Sequence, residues 1–180
     1  MKKFSIFIFS FLLLTFQAQA QKFGYIDSDV ILKQLPEYQK AEKELEESSA
    51  KWQQEIEGMK KKIEALQTSF AAEEVLLSEE MRKERLDSIA EKDKAYRAYQ
   101  KKIFGFQGLV FLKRQELMKP VQEKVYKAVE KVAKEKQLQI IFDRSADLVM
   151  IYTNPIHNYT DYVLEELGLG DAKDVTDNKK

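Results

Sequence analysis

The sequence predicts a mainly α protein with a small β body, in which a long antiparallel helical hairpin, a coiled-coil arm, projects from a small oligomeric β-sheet or barrel. Three observations lead there. Between Tyr38 and Lys119 the only glycines are Gly58, Gly105 and Gly108, and prolines stand only at the flanks, at Pro36 and Pro120, so most of that stretch is free to be helix. An apolar heptad runs through its first half. Short runs with strand character lie on both sides of it.

The first twenty residues read as an address. Lys2 and Lys3 form a positive start, Phe4 to Phe16 is almost continuously apolar, and Ala18-Gln19-Ala20 has the small-x-small pattern of a signal-peptidase site. The apolar run falls short of the roughly 20 residues that span a bilayer, so 1–20 is predicted to be a cleaved signal peptide. The mature chain is then expected to start at Gln21, outside the cytoplasm, in a compartment that generally lacks ATP. Without Lys2 and Lys3, 28 bases face 30 acids, a net charge of −2. That balance disfavours a strongly basic nucleic-acid binder.

Residues 21–35 are predicted to give the first strand of the body, Lys22-Phe23-Gly24-Tyr25-Ile26-Asp27, and a short helix. The hairpin arm is expected over 36–136. Leu45, Trp52, Met59 and Leu66 are seven apart, and Ile56, Ile63 and Phe70 each follow a member of that row by four, so the two rows make one seam. Glu42, Ser49 and Glu73 interrupt it. Glu37 to Lys102 holds 16 acids and 14 bases, too many to bury inside a globule without stranding charge.

The arm turns at a tip near 75–80. There Ser78 is placed to cap a new helix, and Glu79 and Glu80 to complement its positive end. The returning helix carries Ile89, Tyr96, Ile103, Val110 and Leu117 seven apart, but its companion row is Asp93, Gln100 and Gln107, which makes this side wetter. Beyond Leu117 the apolar spacing becomes Val121, Val125, Ala128 and Val132, a mean step of about 3.7, so the packing surface changes there. Pro120 is expected to kink the helix. Residues 137–168 are predicted to complete the body with a β-hairpin, 138–143 and 148–152 joined by Arg144-Ser145-Ala146-Asp147, and a closing helix. That helix starts behind Asn158 or Thr160 and stops at Gly168. Residues 169–180 read as a disordered polar tail. Three short strands leave open edges, which favours self-association.

Catalytic constellations are missing from the composition. Without cysteine there is no disulfide, thiolate zinc site, Cys nucleophile or lipidated cysteine, and the chain has a single histidine. No Walker loop, Gly-x-Gly-x-x-Gly or Gly-x-Ser-x-Gly occurs, so no nucleotide, metal or other cofactor is expected. His157 reads as a turn residue. Lys60-Lys61-Lys62 and Arg82-Lys83-Glu84-Arg85 read first as solvated surface, with attraction for acidic lipid head groups or an anionic client as the secondary reading. Phe104-Gly105-Phe106-Gln107-Gly108-Leu109-Val110-Phe111-Leu112 is the most apolar stretch of the mature chain, its side chains pointing all round a helix. Either an oligomer buries it, the favoured alternative, or it is exposed to bind hydrophobic client segments.

Lys22-Phe23-Gly24-Tyr25-Ile26-Asp27-Ser28, the Leu35-Pro36-Glu37-Tyr38 entry, the charged hairpin, and Ile140-Ile141-Phe142-Asp143 through Thr160-Asp161-Tyr162-Val163-Leu164 resemble the Skp/OmpH family of periplasmic chaperones over residues 22 to 168. The resemblance implies a homotrimer shaped like a jellyfish. Its arms hold unfolded outer-membrane proteins in a cavity, without ATP, on their way to the outer membrane. Well-known members are markedly basic, and the net −2 of this chain departs from that pattern. The expected function is therefore unfolded-protein binding in outer membrane protein biogenesis, not an enzyme activity. Its expected partners are unfolded outer-membrane proteins and the chain itself, with a membrane surface or lipopolysaccharide as a subsidiary one and no nucleic acid. Candidate client-binding residues are Trp52, Met59, Phe70, Tyr96, Tyr99, Phe104, Phe106 and Phe111. The alternative is a structural coiled-coil spacer or tether of the cell envelope, which calls for a more regular heptad and an anchor at one end.

Overall fold

The computed structural model describes residues 22–146 and 150–170. The predicted signal peptide and nearly all of the polar tail lie outside the described residues. The chain divides into two compact units, Met1–Leu32 with Val125–Lys180, and Lys33–Lys124. The helices over Ser28–Gln34 and Leu109–Lys136 run across the two boundaries.

The first unit is built on β1 (Phe23–Ile26) and β2 (Ile140–Asp143), which pair in parallel with Phe23 opposite Ile140 and Ile26 opposite Asp143. Gly24 is required in β1 because a Cβ there would stand 2.3 Å from the Tyr159 ring. Behind the strand, Tyr159 N donates to Tyr25 O at 2.8 Å and Asp27 N to Thr160 Oγ1 at 3.0 Å. These bonds dock the closing helix against the end of β1. Tyr25, Ile26, Leu138, Val163 and Leu164 are buried. Helix α1 (Ser28–Gln34) follows β1 directly and buries Ile31 completely.

The described part of the expected strand over 148–152 does not pair with β2. Met150, Ile151 and Tyr152 lie in no strand, and Leu148 and Val149 lie outside the described residues. The Asp143 side chain gives the reason: its Oδ1 accepts from Ser145 N at 3.1 Å and from Ser28 N at 3.1 Å. The chain leaving β2 is thereby folded into an Asx-type turn toward the start of α1, and Arg144 N closes it on Ile26 O at 2.8 Å. Among the described residues the sheet therefore has two strands, and the open flank of β1 takes one further bridge, Tyr25 to Asn158.

The second unit starts with α2 (Pro36–Glu73), 38 residues without a break. Pro36 suits the first turn because its missing N–H has no helical partner there in any case. Ala41, Leu45, Ile56 and Ile63 are buried along one face, with Trp52, Met59, Leu66 and Phe70 half-buried beside them. A short 3-10 turn, Glu74–Leu76, ends it. The return begins at α3 (Glu79–Phe104), where Ser78 Oγ accepts from Met81 N at 3.3 Å. Glu79 and Glu80 at its start and Lys101 and Lys102 at its end match the helix dipole.

The returning helix is not continuous. It stops at Phe104 and resumes as α4 (Leu109–Lys136), so Val110 and Leu117 belong to a different helix from Ile89, Tyr96 and Ile103. Gln107 has φ 53°, and a Cβ on Gly108 would stand 2.4 Å from Ile103 O. A left-handed residue beside a glycine pressed onto the preceding carbonyl is incompatible with α-helix, so the two glycines break the rod instead of bending it. Helix α4 then runs through Pro120 and buries Val121, Val125, Ala128 and Val132, the row whose spacing differs from the heptad. Helix α5 (Thr160–Glu166) closes the chain; Asn158 Oδ1 accepts from Thr160 N at 3.0 Å, and Gly168 terminates it at φ 77°.

Candidate functional site

The surface of the 33–124 unit holds all eight candidate client-binding residues. Four cross-helix contacts set its register: Glu73 to Arg85 at 3.7 Å, Glu55 to Tyr99, Glu44 to Lys113 at 2.8 Å, and Glu37 to Lys124. Lys113 pulls the Glu44 carboxyl below its ordinary range, first by hydrogen bonding and then by charge, and Lys124 does the same to Glu37. Donating its hydrogen bond to Glu55 pushes the Tyr99 hydroxyl upward. These residues are exposed or half-buried, so the contacts fix register more than they add stability.

With that register Trp52 comes level with Phe104, and Met59 with Tyr96. Phe70 lies much nearer the turn. The eight residues therefore do not converge on one pocket. Five of them, Trp52, Met59, Phe70, Tyr96 and Tyr99, are half-buried along the helix interface, where packing explains them. The other three surround the helix break: Phe104 is 45% exposed, Phe111 43% and Phe106 96%. Gly105 N to Lys101 O at 2.8 Å and Gly108 N to Gly105 O at 2.8 Å hold the break as an ordered loop that points Phe106 outward.

A second apolar display escaped the sequence reading. Val75 and Leu76, at the turn between α2 and α3, are 88% and 83% exposed. The turn is well tied: Arg82 bonds Glu79 at 3.1 Å and reaches the Glu74 carbonyl. Its signal was the aliphatic pair within the 75–80 segment read as the turn of the arm.

The first unit has an open apolar groove of about 480 Å³ lined by Phe23, Tyr25, Phe142, Met150, Tyr152 and His157, among others. His157 stacks on Phe23 with ring centroids 4.9 Å apart, so the lone histidine packs against an apolar wall. Among the described residues no group of His, Asp and Glu is arranged to hold a metal ion, and no helix is long and apolar enough to cross a membrane.

The family model for outer membrane protein (OmpH-like) matches residues 22–167. The chain belongs to the OmpH-like family. An uncharacterized protein of Aquifex aeolicus (strain VF5) is 30% identical to it over 145 residues, covering 81% of this chain and 85% of the relative. A crystal structure from Caulobacter crescentus CB15, of a candidate outer membrane chaperone (OmpH-like), superposes with a TM-score of 0.67 at 15% identity, over 84% of this chain and 86% of that one. The mainly helical fold with long helices and a small sheet is thus the OmpH-like fold.

Proposed function

We propose that this OmpH-like protein is an ATP-independent periplasmic holdase, not an enzyme, that binds unfolded outer-membrane proteins between helical arms and keeps them from aggregating in transit. It is exported by a cleaved signal peptide and works as a homotrimer assembled through its β body. The observation that supports this most is Phe106, a large aromatic held 96% exposed by an ordered loop in the middle of a helical hairpin. A spacer or tether gains nothing from such a residue, and the polar breaks in its seam weaken it as a rod.

Client contact is assigned first to Phe104, Phe106 and Phe111, with Trp52, Met59, Phe70, Tyr96 and Tyr99 reached as the helices part. Many weak apolar contacts on a charged surface give avidity and still allow release without an energy source. The groove beside β1 and the partly exposed side chains of β2 favour self-association of the bodies.

The test is light scattering as a urea-unfolded outer-membrane barrel protein is diluted into buffer with and without residues 21–180, with no nucleotide present. Suppression near one oligomer per client is expected; undiminished scattering by a folded oligomer moves the assignment to the tether. Phe106→Asp separates the two roles of the loop. Lost holding at unchanged sedimentation mass places Phe106 on the client surface, whereas a fall in mass places it at the oligomer junction.

A further inference from the structure

The two sides of the hairpin carry opposite charge at the same level. Between Glu42 and Glu57, α2 has six carboxylates and two lysines, Lys43 and Lys51; between Lys94 and Gln115 the returning chain has six cations and no carboxylate. The Glu55–Tyr99 and Glu44–Lys113 contacts place these stretches side by side. Apart from the half-buried Lys113, every one of these charged residues is exposed. Lys113 satisfies Glu44 on the inner flank of α2. Glu46, about 200° further round at about 100° per residue, faces away from that contact. The side chains of Glu46 and Glu47 have no ion-pair or hydrogen-bond partner among the described residues, and neither do those of Lys101, Lys102 and Arg114.

In a ring of three or more copies each contact is head-to-tail, one face of a copy meeting a different face of the next. Where the two helices of each hairpin lie side by side around such a ring, the acidic edge of one copy meets the basic edge of the next at every junction. We propose that this edge is an interface for a second copy of the chain: in the empty assembly the 42–57 flank of each arm docks on the 94–115 flank of its neighbour. The inference rests on the self-assembly proposed above and adds to it what holds the arms when no client is present. Exposed ion pairs are individually weak, so several per junction hold the arms together yet yield to an incoming polypeptide. Such a contact is screened as the Debye length falls from about 8 Å at physiological salt to about 3 Å at 1 M.

The chain has no cysteine and Leu76 is exposed at the hairpin turn, so Leu76→Cys accepts a single spin label per copy. The experiment is the tip-to-tip distance in the assembled protein by pulsed electron paramagnetic resonance, with sedimentation mass and helicity measured on the same samples. The mean distance is expected to lengthen on going from about 20 mM to about 1 M salt as screening rises. At low salt it should lengthen for Glu46→Lys with Glu47→Lys, and separately for Lys101→Glu with Lys102→Glu. Combining the two reversals should shorten it again, which generalised loss of helix stability cannot do. An oligomeric mass with distances indifferent to salt and to both reversals overturns the arm contact and leaves the self-assembly standing. A mass of one chain under all conditions overturns both.

Discussion

The two units of this chain hold themselves together by different means. Around β1 the 22–32 and 125–170 segments interlock at short range: Gly24 lies under the Tyr159 ring, Thr160 caps the Asp27 amide, and Asp143 gathers Ser28 and Ser145. The 33–124 hairpin has a single seam, half of whose members are only half-buried, and pairs of exposed charges across it. Tight interlocking makes a unit intolerant of added atoms. A thin seam makes each buried residue count heavily but lets the surface vary freely.

The sharpest way to test that contrast is to empty one seam position. Ile56→Ala, at a side chain 4% exposed, should cost about 2–5 kcal/mol locally. Hydrogen exchange should accelerate through 36–104 while the amides of β1 and β2 stay protected. Gly24→Val is the reverse case, an added side chain with nowhere to go; about 1–3 kcal/mol or more of strain should lower the melting temperature and release β1 and α5 together, with the hairpin amides unaffected.

Acid gives a smaller effect confined to the first unit. Partial burial pushes the Asp143 carboxyl up, but hydrogen bonds from the Ser28 and Ser145 hydroxyls and amides outweigh it and hold the group below its ordinary 3.8. A depressed carboxylate stabilises the fold fully above its unfolded value and loses that contribution as pH falls through the folded one. The first unit should therefore weaken below about pH 4, and Asp143→Asn should flatten that part of the pH–stability curve measured by urea unfolding. The smallest effect belongs to the charge pairs of the hairpin. Glu44→Gln removes one of the two carboxylate partners of Lys113, leaving Glu116, and should lower the urea midpoint only slightly, a difference that vanishes in high salt.

Legibility in the sequence followed the same division. The α2 seam at Leu45, Ile56 and Ile63 was readable because heptad spacing is local, and Ser78 was readable as a cap because a cap needs only its next three residues. The parallel pairing of β1 with β2 was not, since strand direction depends on partners distant in sequence and on the Asp143 turn, which has no spacing rule. At 105–108 the glycines were visible, but whether they bend or break the helix depends on the φ of Gln107. Val75 and Leu76 were passed over because an exposed aliphatic pair in a turn resembles an ordinary connection until its exposure is known. The candidate client-binding residues were read as one set; the structure separates five half-buried along the helix interface from three around the break.

The parallel register also orders events in time. Ser28 and Asp143, which tie the ends of β1 and β2, are 115 residues apart in sequence, whereas the hairpin between them is built from contacts that close progressively from its own turn. Closing a long loop is slow relative to forming local helix contacts. A chain delivered amino-terminus first therefore presents β1 as an unpaired edge until the 140–143 segment arrives, and the hairpin forms before the sheet. A destabilised hairpin delays closure of β1 and lengthens the interval in which its edge is open to the wrong strand. Protection against its own aggregation thus depends on the hairpin folding first.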